Sequence, residues 1–333
     1  MTHAAVIGAG SWGTALARVL ADKGESVRLW GRDAGHTDEI QHTRQNARYL
    51  PGVELPRSLE ATSDLAYAVR GCDLVLIVVP THTIRDIARK IRAIGVGSET
   101  PVVSASKGIE NESLMLMSEV LEQELPESAH RLAYLSGPSF AKEVVRGLPA
   151  AIVMASQDGQ LADELMVRFS SERMRCYANT DVVGVEMGGA LKNVIAIAAG
   201  AVDGLELGHN ARAAVITRGL AEIARAAMAK GGSALTIAGL AGMGDLVLTC
   251  TGEASRNRTV GYEMGKGRTL DDVLGSMNQV AEGVRTAKSA RDLGIKLGID
   301  LPISNEVYRV LYENKPVKQA VYDLMTRTLT REY

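Results

Sequence analysis

The sequence predicts an α/β domain built on a doubly wound, mostly parallel β-sheet, followed by an all-α domain. In the first half of the chain, short β-branched apolar runs alternate with amphipathic stretches. This alternation is typical of βαβ units, which form parallel sheets. The strand pattern stops near residue 180, and only helical patterns follow. At 333 residues, the chain is also long enough for about two domains.

The apolar runs define the predicted strands. Residues 74–79 form an unbroken apolar run, which is expected of a strand that is buried on both faces of a parallel sheet. The amphipathic stretches between such runs predict helices that cover the sheet. We predict strands over 4–7, 25–30, 74–79, 101–105, 131–136 and 150–155, and helices over 14–23, 83–93 and 113–124.

The second half is predicted to be helical, with glycine and proline residues separating the helices. We place the domain boundary so that residues 1–180 form the first domain and residues 181–333 form the second. The predicted helices of the second domain cover 182–204, 211–230, 257–265, 284–294, 303–312 and 316–328.

The composition argues against several classes of function. Aromatic residues make up 4% of the chain and the net charge is −2, whereas nucleic-acid binding needs a basic excess and stacking rings. The three cysteines and six histidines lack the spacing of a disulfide framework or a metal site. Residues 1–7 do not resemble a signal peptide, and the apolar stretch 187–202 is interrupted by Lys192 and glycines. We expect a cytoplasmic protein with no metal, no nucleic-acid partner and no insertion into a membrane.

A glycine-rich turn connects the first predicted strand to the first predicted helix. It reads Gly8-Ala9-Gly10-Ser11-Trp12-Gly13. In a dinucleotide-binding turn of this pattern, the three glycines allow the tight turn, the approach of the pyrophosphate and the close packing of helix on strand. The free N–H groups of the helix start then face the phosphates. The turn predicts a Rossmann domain that binds a dinucleotide.

The end of the second strand bears on the choice of cofactor. An NAD enzyme usually has a carboxylate there for the ribose 2′-hydroxyl, but this chain reads Trp30-Gly31-Arg32-Asp33. Arg32 can pair with a 2′-phosphate, although it can also be an ordinary solvated loop arginine. We expect NADP(H) to be bound and, because Asp33 is close by, NAD(H) to be accepted as well.

Lys192 is the most informative polar residue of the second half. It lies in a predicted helix that is apolar on every face, so the helix should be buried. Desolvation of an ammonium lowers its pKa toward the range of an acid/base group. Gly188 and Gly189, one turn earlier, would leave room for a substrate. The alternative is a lysine that extends to the surface.

Polar segments follow two predicted strands, at the edge where ligands bind in open α/β sheets. They are Ser104–Gly108, which contains Lys107, and Ser136–Ala141, which contains Ser139. Ser139 can contact a ligand or cap a helix.

Two further segments carry charge in the helical half. Asp245 follows Gly242-Met243-Gly244, which predicts a flexible turn, and it can orient Lys192, bind a substrate hydroxyl or cap a helix. Ser255-Arg256-Asn257-Arg258 begins a helix with two guanidinium groups, which suit a phosphate. The alternative for the arginines is a solvated face.

Together these segments resemble the bacterial-type NAD(P)-dependent glycerol-3-phosphate dehydrogenase family, in order and across nearly the whole chain. The run around Lys192 and the Ser255-Arg256-Asn257 segment are the most specific parts of the resemblance. The matching segments are Gly8–Ala17, Leu29–Arg32, Val79-Pro80, Lys107-Gly108, Ser136–Ala141, Gly189–Ala196, Thr217–Leu220, Gly242–Asp245, Leu248–Thr251, Ser255–Arg258 and Glu282-Gly283.

The resemblance implies reversible reduction of dihydroxyacetone phosphate to sn-glycerol 3-phosphate by NAD(P)H, which feeds phospholipid synthesis, in a homodimer. It implies that Lys192 is the catalytic proton donor. The implied substrate-binding residues are Lys107, Gly137, Ser139, Lys192, Asp245, Ser255, Arg256 and Asn257. The cofactor-binding residues, from the turn and the resemblance together, are Gly8, Gly10, Ser11, Trp12, Gly13, Arg32, Tyr49, Lys107, Ala141, Arg256, Val280 and Glu282.

Three other functions fit the general plan less well. A methyltransferase could also use a glycine-rich loop, but it would have no use for Arg32 near a 2′-phosphate. A dehydrogenase for a hydroxy acid or a sugar acid would need a carboxylate-binding site in place of Ser255-Arg256-Asn257. A non-catalytic sensor of NADPH would have no use for a buried Lys192.

Overall fold

The structure is a computed structural model that describes residues 3–277, 281–329 and 331–332. Within these residues, eight strands form one sheet. The strands are β1 (Ala4–Ile7), β2 (Val27–Trp30), β3 (Leu59–Thr62), β4 (Leu74–Ile77), β5 (Val102–Ser104), β6 (Leu132–Ser136), β7 (Ala150–Ala155) and β8 (Met174–Asn179). Their order is β3-β2-β1-β4-β5-β6-β7-β8, and every neighbouring pair is parallel except β6 and β7. The first six strands have the order of a doubly wound Rossmann sheet, so the predicted fold class is confirmed.

Helices cover the sheet and make up the remainder of the fold. The helices are α1 (Ser11–Asp22), α2 (Ala34–Thr43), α3 (Leu65–Val69), α4 (Ile84–Ile94), α5 (Met117–Glu124), α6 (Ala141–Val144), α7 (Gly159–Phe169), α8 (Val182–Gly204), α9 (Gly208–Ala229), α10 (Ala234–Ala238), α11 (Asp245–Thr251), α12 (Arg256–Gly265), α13 (Leu270–Gly275), α14 (Glu282–Leu297), α15 (Pro302–Tyr312) and α16 (Val317–Met325). Short 3₁₀ turns cover Thr81–Thr83 and Pro126–Arg131, and a π-helical turn covers Leu240–Gly244.

The described residues divide into two compact units. The first comprises the residues up to Lys107 together with Met115–Glu186, and the second comprises Gly108–Leu114 and the residues from Met187 onward. This division falls a few residues after the boundary predicted from the sequence, inside the first turns of α8.

The core of the first unit consists of apolar side chains on the central strands and on the helices that pack against them. All four residues of β1 and all four of β4 are fully buried. Leu16 and Leu20 of α1 are also fully buried in this core. Burial of these strands on both faces explains why their sequences are continuously apolar rather than alternating.

α8 is the central helix of the second unit. By length and composition it could cross a membrane, but 89% of its most apolar 18-residue window lies buried within the fold. Ala190, Val194 and Ile195, for example, have no exposed surface. α8 is therefore a core helix, as its uniform apolarity predicts.

Glycine residues let α12 approach α8 closely. A Cβ on Gly261 of α12 would lie 1.8 Å from the carbonyl oxygen of Ile197, and one on Gly200 of α8 would lie 2.0 Å from that of Arg258. No real Cβ contact is so short, so the two backbones touch where only glycine fits. The small residues thus fix the spacing of the two helices.

We predict that Gly261→Ala destabilises the protein by about 2 kcal/mol or more, because the new methyl group forces the backbones of α8 and α12 apart. Gly275→Ala is the matched control, since a Cβ there meets nothing within 4 Å, and it should change stability by less than about 0.5 kcal/mol. Denaturant unfolding followed by circular dichroism measures both. Equal stabilities for the two variants would contradict the packing argument.

A buried carboxylate on α9 caps the start of α15. Glu222 is 2% exposed, and its carboxylate accepts hydrogen bonds from the backbone N–H groups of Ile303 (2.5 Å) and Ser304 (3.1 Å) and from the Ser304 hydroxyl (2.9 Å). The N–H groups are among the donors that a helix start leaves unpaired. Burial raises the pKa of Glu222 to about 7, although the hydrogen bonds oppose the shift.

This raised pKa predicts a pH-dependent stability. Because the pKa of Glu222 is higher in the folded state than its ordinary value of 4.5, its stabilising contribution is complete below about pH 4.5 and is lost as the pH rises through about 7. Glu222→Gln cannot titrate, so between about pH 4.5 and 7.5 it should lose roughly 2–3 kcal/mol less stability than the wild type. Urea unfolding at several pH values measures this difference, with the exposed Glu253→Gln as control. Parallel stability curves for Glu222→Gln and the wild type would contradict the prediction.

Candidate active site and cofactor loop

The glycine-rich turn has the geometry that each predicted role requires. Gly8 has φ = +129°, and a Cβ there would lie 2.2 Å from the carbonyl oxygen of Val78. A Cβ on Gly13 would lie 1.9 Å from the carbonyl oxygen of Gly8. Gly10 has nothing within 4 Å of its Cβ position. Gly8 and Gly13 therefore permit the turn and the packing, while the space over Gly10 stays open for a ligand.

The turn leads into α1 without a side-chain cap. Gly10 precedes the helix, Ser11 and Trp12 begin it, and the first turn contains no acidic residue. Its N–H groups and the positive end of its dipole are thus available to an anion such as a pyrophosphate. The indole Nε1 of Trp12 is buried and has no hydrogen-bond partner within the described part of the chain.

Charged and aromatic groups cluster after β2. Arg32 is exposed. Asp33 caps α2 by accepting a hydrogen bond from His36 N (3.2 Å), and Arg48 Nη1 lies 3.6 Å from Asp33 Oδ2. The ring of Tyr49 packs edge-on against His36, with 5.5 Å between the ring centroids. The start of α2 and the guanidinium of Arg48 thus partly balance the charge of Asp33 beside Arg32.

Three predicted ligand residues meet beyond the ends of β5 and β6. Lys107 Nζ donates to the carbonyl oxygen of Gly137 (3.2 Å), and Ser139 Oγ donates to the same oxygen (3.0 Å). α6 begins at Ala141 with Phe140 as its N-terminal neighbour, and no side chain caps it. The alternative that Ser139 caps a helix is therefore wrong, because its hydroxyl bonds back to the preceding turn.

Lys192 lies at the centre of a buried polar cluster in the second unit. It is 8% exposed, and its Nζ donates to Asp245 Oδ1 (2.6 Å) and Thr249 Oγ1 (3.0 Å). The Thr249 hydroxyl in turn donates to the backbone carbonyl of Asp245 (2.5 Å). These hydrogen bonds fix the orientation of the Lys192 ammonium. The Asp245 carboxylate also balances its charge and thereby favours the protonated form.

The structure corrects two expectations about the glycines near this cluster. Asp245 is not on a flexible turn: it is 1% exposed and begins α11, and a Cβ on Gly242 would lie 2.0 Å from the carbonyl oxygen of Ile237. Gly188 does not leave room for a substrate, because its Cβ position lies 2.5 Å from the carbonyl oxygen of Ala241. Both glycines serve close packing of backbone on backbone.

The start of α12 carries the predicted phosphate-binding residues. Ser255 is 4% exposed and caps the helix by accepting a hydrogen bond from Arg258 N (3.2 Å). Arg256 is exposed to solvent, yet desolvation by surrounding protein atoms lowers the pKa of its guanidinium, and the charge of Glu282 opposes this shift. Asn257 donates to Asn193 Oδ1 and accepts from Gly283 N, both at 2.9 Å.

Arg258 does not belong with Arg256 as a phosphate ligand. Its Nε and Nη2 donate to Asp203 Oδ2 at 3.0 and 2.7 Å. The expectation of two guanidinium groups facing a phosphate is therefore wrong, because one of them is committed to a carboxylate of α8.

Thr249 and Asn193 belong to the site although neither is among the residues predicted for it. Thr249 comes four residues after Asp245 and hence on the same face of α11, and Asn193 follows Lys192 in an otherwise apolar helix. Both signals were visible in the sequence. Glu282, another predicted cofactor residue, begins α14, whereas Val280 lies outside the described residues.

Comparisons with known proteins identify the family. Residues 3–162 match the model described as the NAD-dependent glycerol-3-phosphate dehydrogenase N-terminus, and residues 181–322 match the model of its C-terminus. The chain belongs to the NAD-dependent glycerol-3-phosphate dehydrogenase family. The family and the oxidoreductase class predicted from the sequence are thus confirmed.

Similar proteins of this family match along nearly their entire length. The chain is 53% identical to glycerol-3-phosphate dehydrogenase [NAD(P)+] of Myxococcus xanthus, over 97% of this chain and 96% of that protein. It is 51% identical to the enzyme of the same name from Geobacter sp. strain M21, over 98% of both chains. The crystal structure of glycerol-3-phosphate dehydrogenase from Coxiella burnetii matches with a TM-score of 0.93 at 41% identity, covering 98% of this chain and 99% of that chain.

The cluster after β2 leads to a prediction about cofactor preference. We expect NADPH to be preferred to NADH and Arg32→Asp to reverse the preference, because the change removes an attraction for a 2′-phosphate and adds a repulsion. The measurement is kcat/KM for both cofactors at fixed ionic strength, since salt screens such exposed charges. Arg18→Asp, at an exposed ion pair within α1, serves as the control for added negative charge. If Arg32→Asp left the ratio of kcat/KM for NADPH to that for NADH unchanged, Arg32 would not determine the cofactor preference.

Proposed function

We propose that this chain catalyses the reversible reduction of dihydroxyacetone phosphate to sn-glycerol 3-phosphate with NADPH or NADH, and that Lys192 donates the proton. The single observation that carries the proposal is the buried ammonium of Lys192, held by Asp245 and Thr249. The product is a precursor of the phospholipid backbone. The activity agrees with the family to which the chain belongs.

The chemistry divides into the transfer of a hydride and the transfer of a proton. A bound nicotinamide supplies the hydride to the carbonyl carbon of the substrate. The negative charge that develops on the carbonyl oxygen needs a positioned acid, and Lys192 is suited to this because it is buried, paired with a carboxylate and fixed in direction. In the reverse direction the same amine accepts the proton of the alcohol.

Asp245 and Thr249 would serve this step by orienting Lys192. The 2.6 Å contact from Lys192 Nζ to Asp245 Oδ1 and the 3.0 Å contact to Thr249 Oγ1 hold two of the three ammonium hydrogens. These contacts fix the direction of the Lys192 side chain before a substrate binds. Such preorganisation is what makes an electrostatic group effective at the moment of reaction.

For the substrate phosphate, we propose Arg256 as the principal ligand, with Ser255 and Asn257 beside it. Arg256 is exposed and contributes a planar fork of donors, and the helix start adds a favourable dipole. Ser255 can still donate its hydroxyl hydrogen while its oxygen caps the helix. Lys107, Gly137 and Ser139 are further substrate ligands implied by the family resemblance.

Residues 1–180 would act as the dinucleotide-binding domain, and residues 181–333 as the catalytic and substrate-binding domain. The proposed cofactor residues are Gly8, Gly10, Ser11, Trp12, Gly13, Arg32, Tyr49, Lys107, Ala141, Arg256, Val280 and Glu282. The glycine-rich turn and the uncapped start of α1 support this assignment most directly. We further propose that the enzyme is a cytoplasmic homodimer.

Removal of the proposed acid should abolish turnover but not cofactor binding. We predict that Lys192→Ala lowers kcat by about 100-fold or more and leaves the affinity for NADPH nearly unchanged. Stopped-flow oxidation of NADPH with dihydroxyacetone phosphate measures the rate, and a fluorescence titration measures the affinity. Lys288→Ala, at an exposed lysine of α14, is the control. Near-normal turnover of Lys192→Ala would refute the assignment.

A further inference from the structure

Arg258 connects the first turn of α12 to the cap of that helix and, at two points, to α8. Its backbone N–H donates to Ser255 Oγ (3.2 Å). Its carbonyl oxygen lies against the Cα side of Gly200, 2.0 Å from where a Cβ would be. Its guanidinium donates twice to Asp203 Oδ2. Arg256, the proposed phosphate ligand, lies in the same helical turn, so the position of Arg258 also determines the backbone position of Arg256.

Asp203 is the anion that holds Arg258. The side chain of Asp203 is 13% exposed, and that of Arg258 is 20% exposed. Arg212 of α9 also contacts Asp203, with its Nη1 at 3.1 and 3.3 Å from the two carboxylate oxygens. Hydrogen bonds between charged groups that are largely removed from water are stronger and more directional than exposed ones. Asp203 therefore joins α8, α9 and the start of α12 at one point.

We propose that Asp203 is a positioning residue for recognition of the substrate phosphate. By fixing Arg258, it holds the first turn of α12 so that Ser255 and Arg256 meet the phosphate while Lys192, on the same helix as Asp203, meets the carbonyl oxygen. The spacing between phosphate and carbonyl is thereby set by α8 and α12 together. This inference rests on the proposed function.

A second ion pair between the same two segments supplies a matched control. Glu206, just after α8, pairs with Lys266, just after α12, and the side chain of Glu206 is 76% exposed. This pair joins the C-terminal ends of the two helices, so its lysine lies at the opposite end of α12 from Arg258. An exposed pair of this kind contributes little. Glu206→Gln should therefore leave substrate selection unchanged.

The experiment compares kcat/KM for dihydroxyacetone phosphate with that for unphosphorylated dihydroxyacetone. The phosphate preference is the ratio of the two values. We expect Asp203→Ala to reduce this ratio about 10-fold, as expected when a charge-assisted contact is misplaced, with little change for dihydroxyacetone itself. Asp203→Asn keeps an acceptor of the same shape and should lie between Asp203→Ala and the wild type. A purely structural role would lower both efficiencies equally and leave the ratio unchanged, which would overturn the proposal.

A double-mutant comparison tests whether Asp203 acts through Arg256. In the Arg256→Ala background, Asp203→Ala should lower the phosphate preference by less than about twofold, because the principal ligand that it positions is gone. A further 10-fold fall would show an independent effect and overturn the proposal. If Asp203→Ala does not fold, the phosphate preference of Asp203→Asn is the test: a reduced preference supports the proposal, and an unchanged one overturns it. Failure of the proposed function is distinct, since the wild type itself would then show no preference for the phosphorylated ketone.

Discussion

The buried contact between Lys192 and Asp245 constrains how α8 and α11 of the second unit are arranged. A buried ammonium without a partner is costly, and a buried ion pair requires good geometry to compensate for its desolvation. The geometry of this pair is good, with 2.6 Å between Lys192 Nζ and Asp245 Oδ1. It requires that Asp245, the first residue of α11, lies next to α8. Replacement of such a pair by apolar residues is often neutral or stabilising. Its presence therefore points to chemistry rather than to stability.

Close packing of backbones makes this geometry possible. Glycines at positions 188, 200, 242 and 261 all lie where a Cβ would clash with a carbonyl oxygen. Gly188, Gly200 and Gly261 bring the π-helical turn and α12 near to α8, whereas Gly242 packs against Ile237 of α10. Short side chains such as Asp245, directly after the π-helical turn, and Asn257 of α12 then reach α8. In the first unit, the same principle applies at Gly8 and Gly13, where glycine lets α1 pack against the strands and leaves its start open to an anion.

The sequence predicted the parts of this protein whose signals are local. Continuous apolar runs predicted β1 and β4, and uniform apolarity predicted α8 with its correct bounds. The edge strands β3 and β8 were missed, because their polar residues interrupt the apolar pattern. α2, α3 and α7 were not among the predicted helices, although each directly follows an aspartate, at position 33, 64 or 158, that caps the helix.

The partners of the site residues could not be predicted in the same way, because they come from distant segments. Arg258 and Arg256 look equivalent in the sequence, and only the folded chain shows that one of them binds Asp203, 55 residues away. Gly188 suggested space for a substrate, whereas the carbonyl group of Ala241, 53 residues later in the chain, fills that space. Motifs identify which residues matter, but long-range packing decides what each one does.

The central claim is that Asp245 acts through Lys192 as one unit for proton transfer. The most direct test is a double-mutant cycle on kcat with Lys192→Ala, Asp245→Asn and the double variant. Residues that act as a unit are strongly non-additive, so the account predicts that the double variant is no slower than Lys192→Ala within about twofold. If the two losses multiplied, Asp245 would act on the reaction independently of Lys192, and the account of this cluster would be wrong.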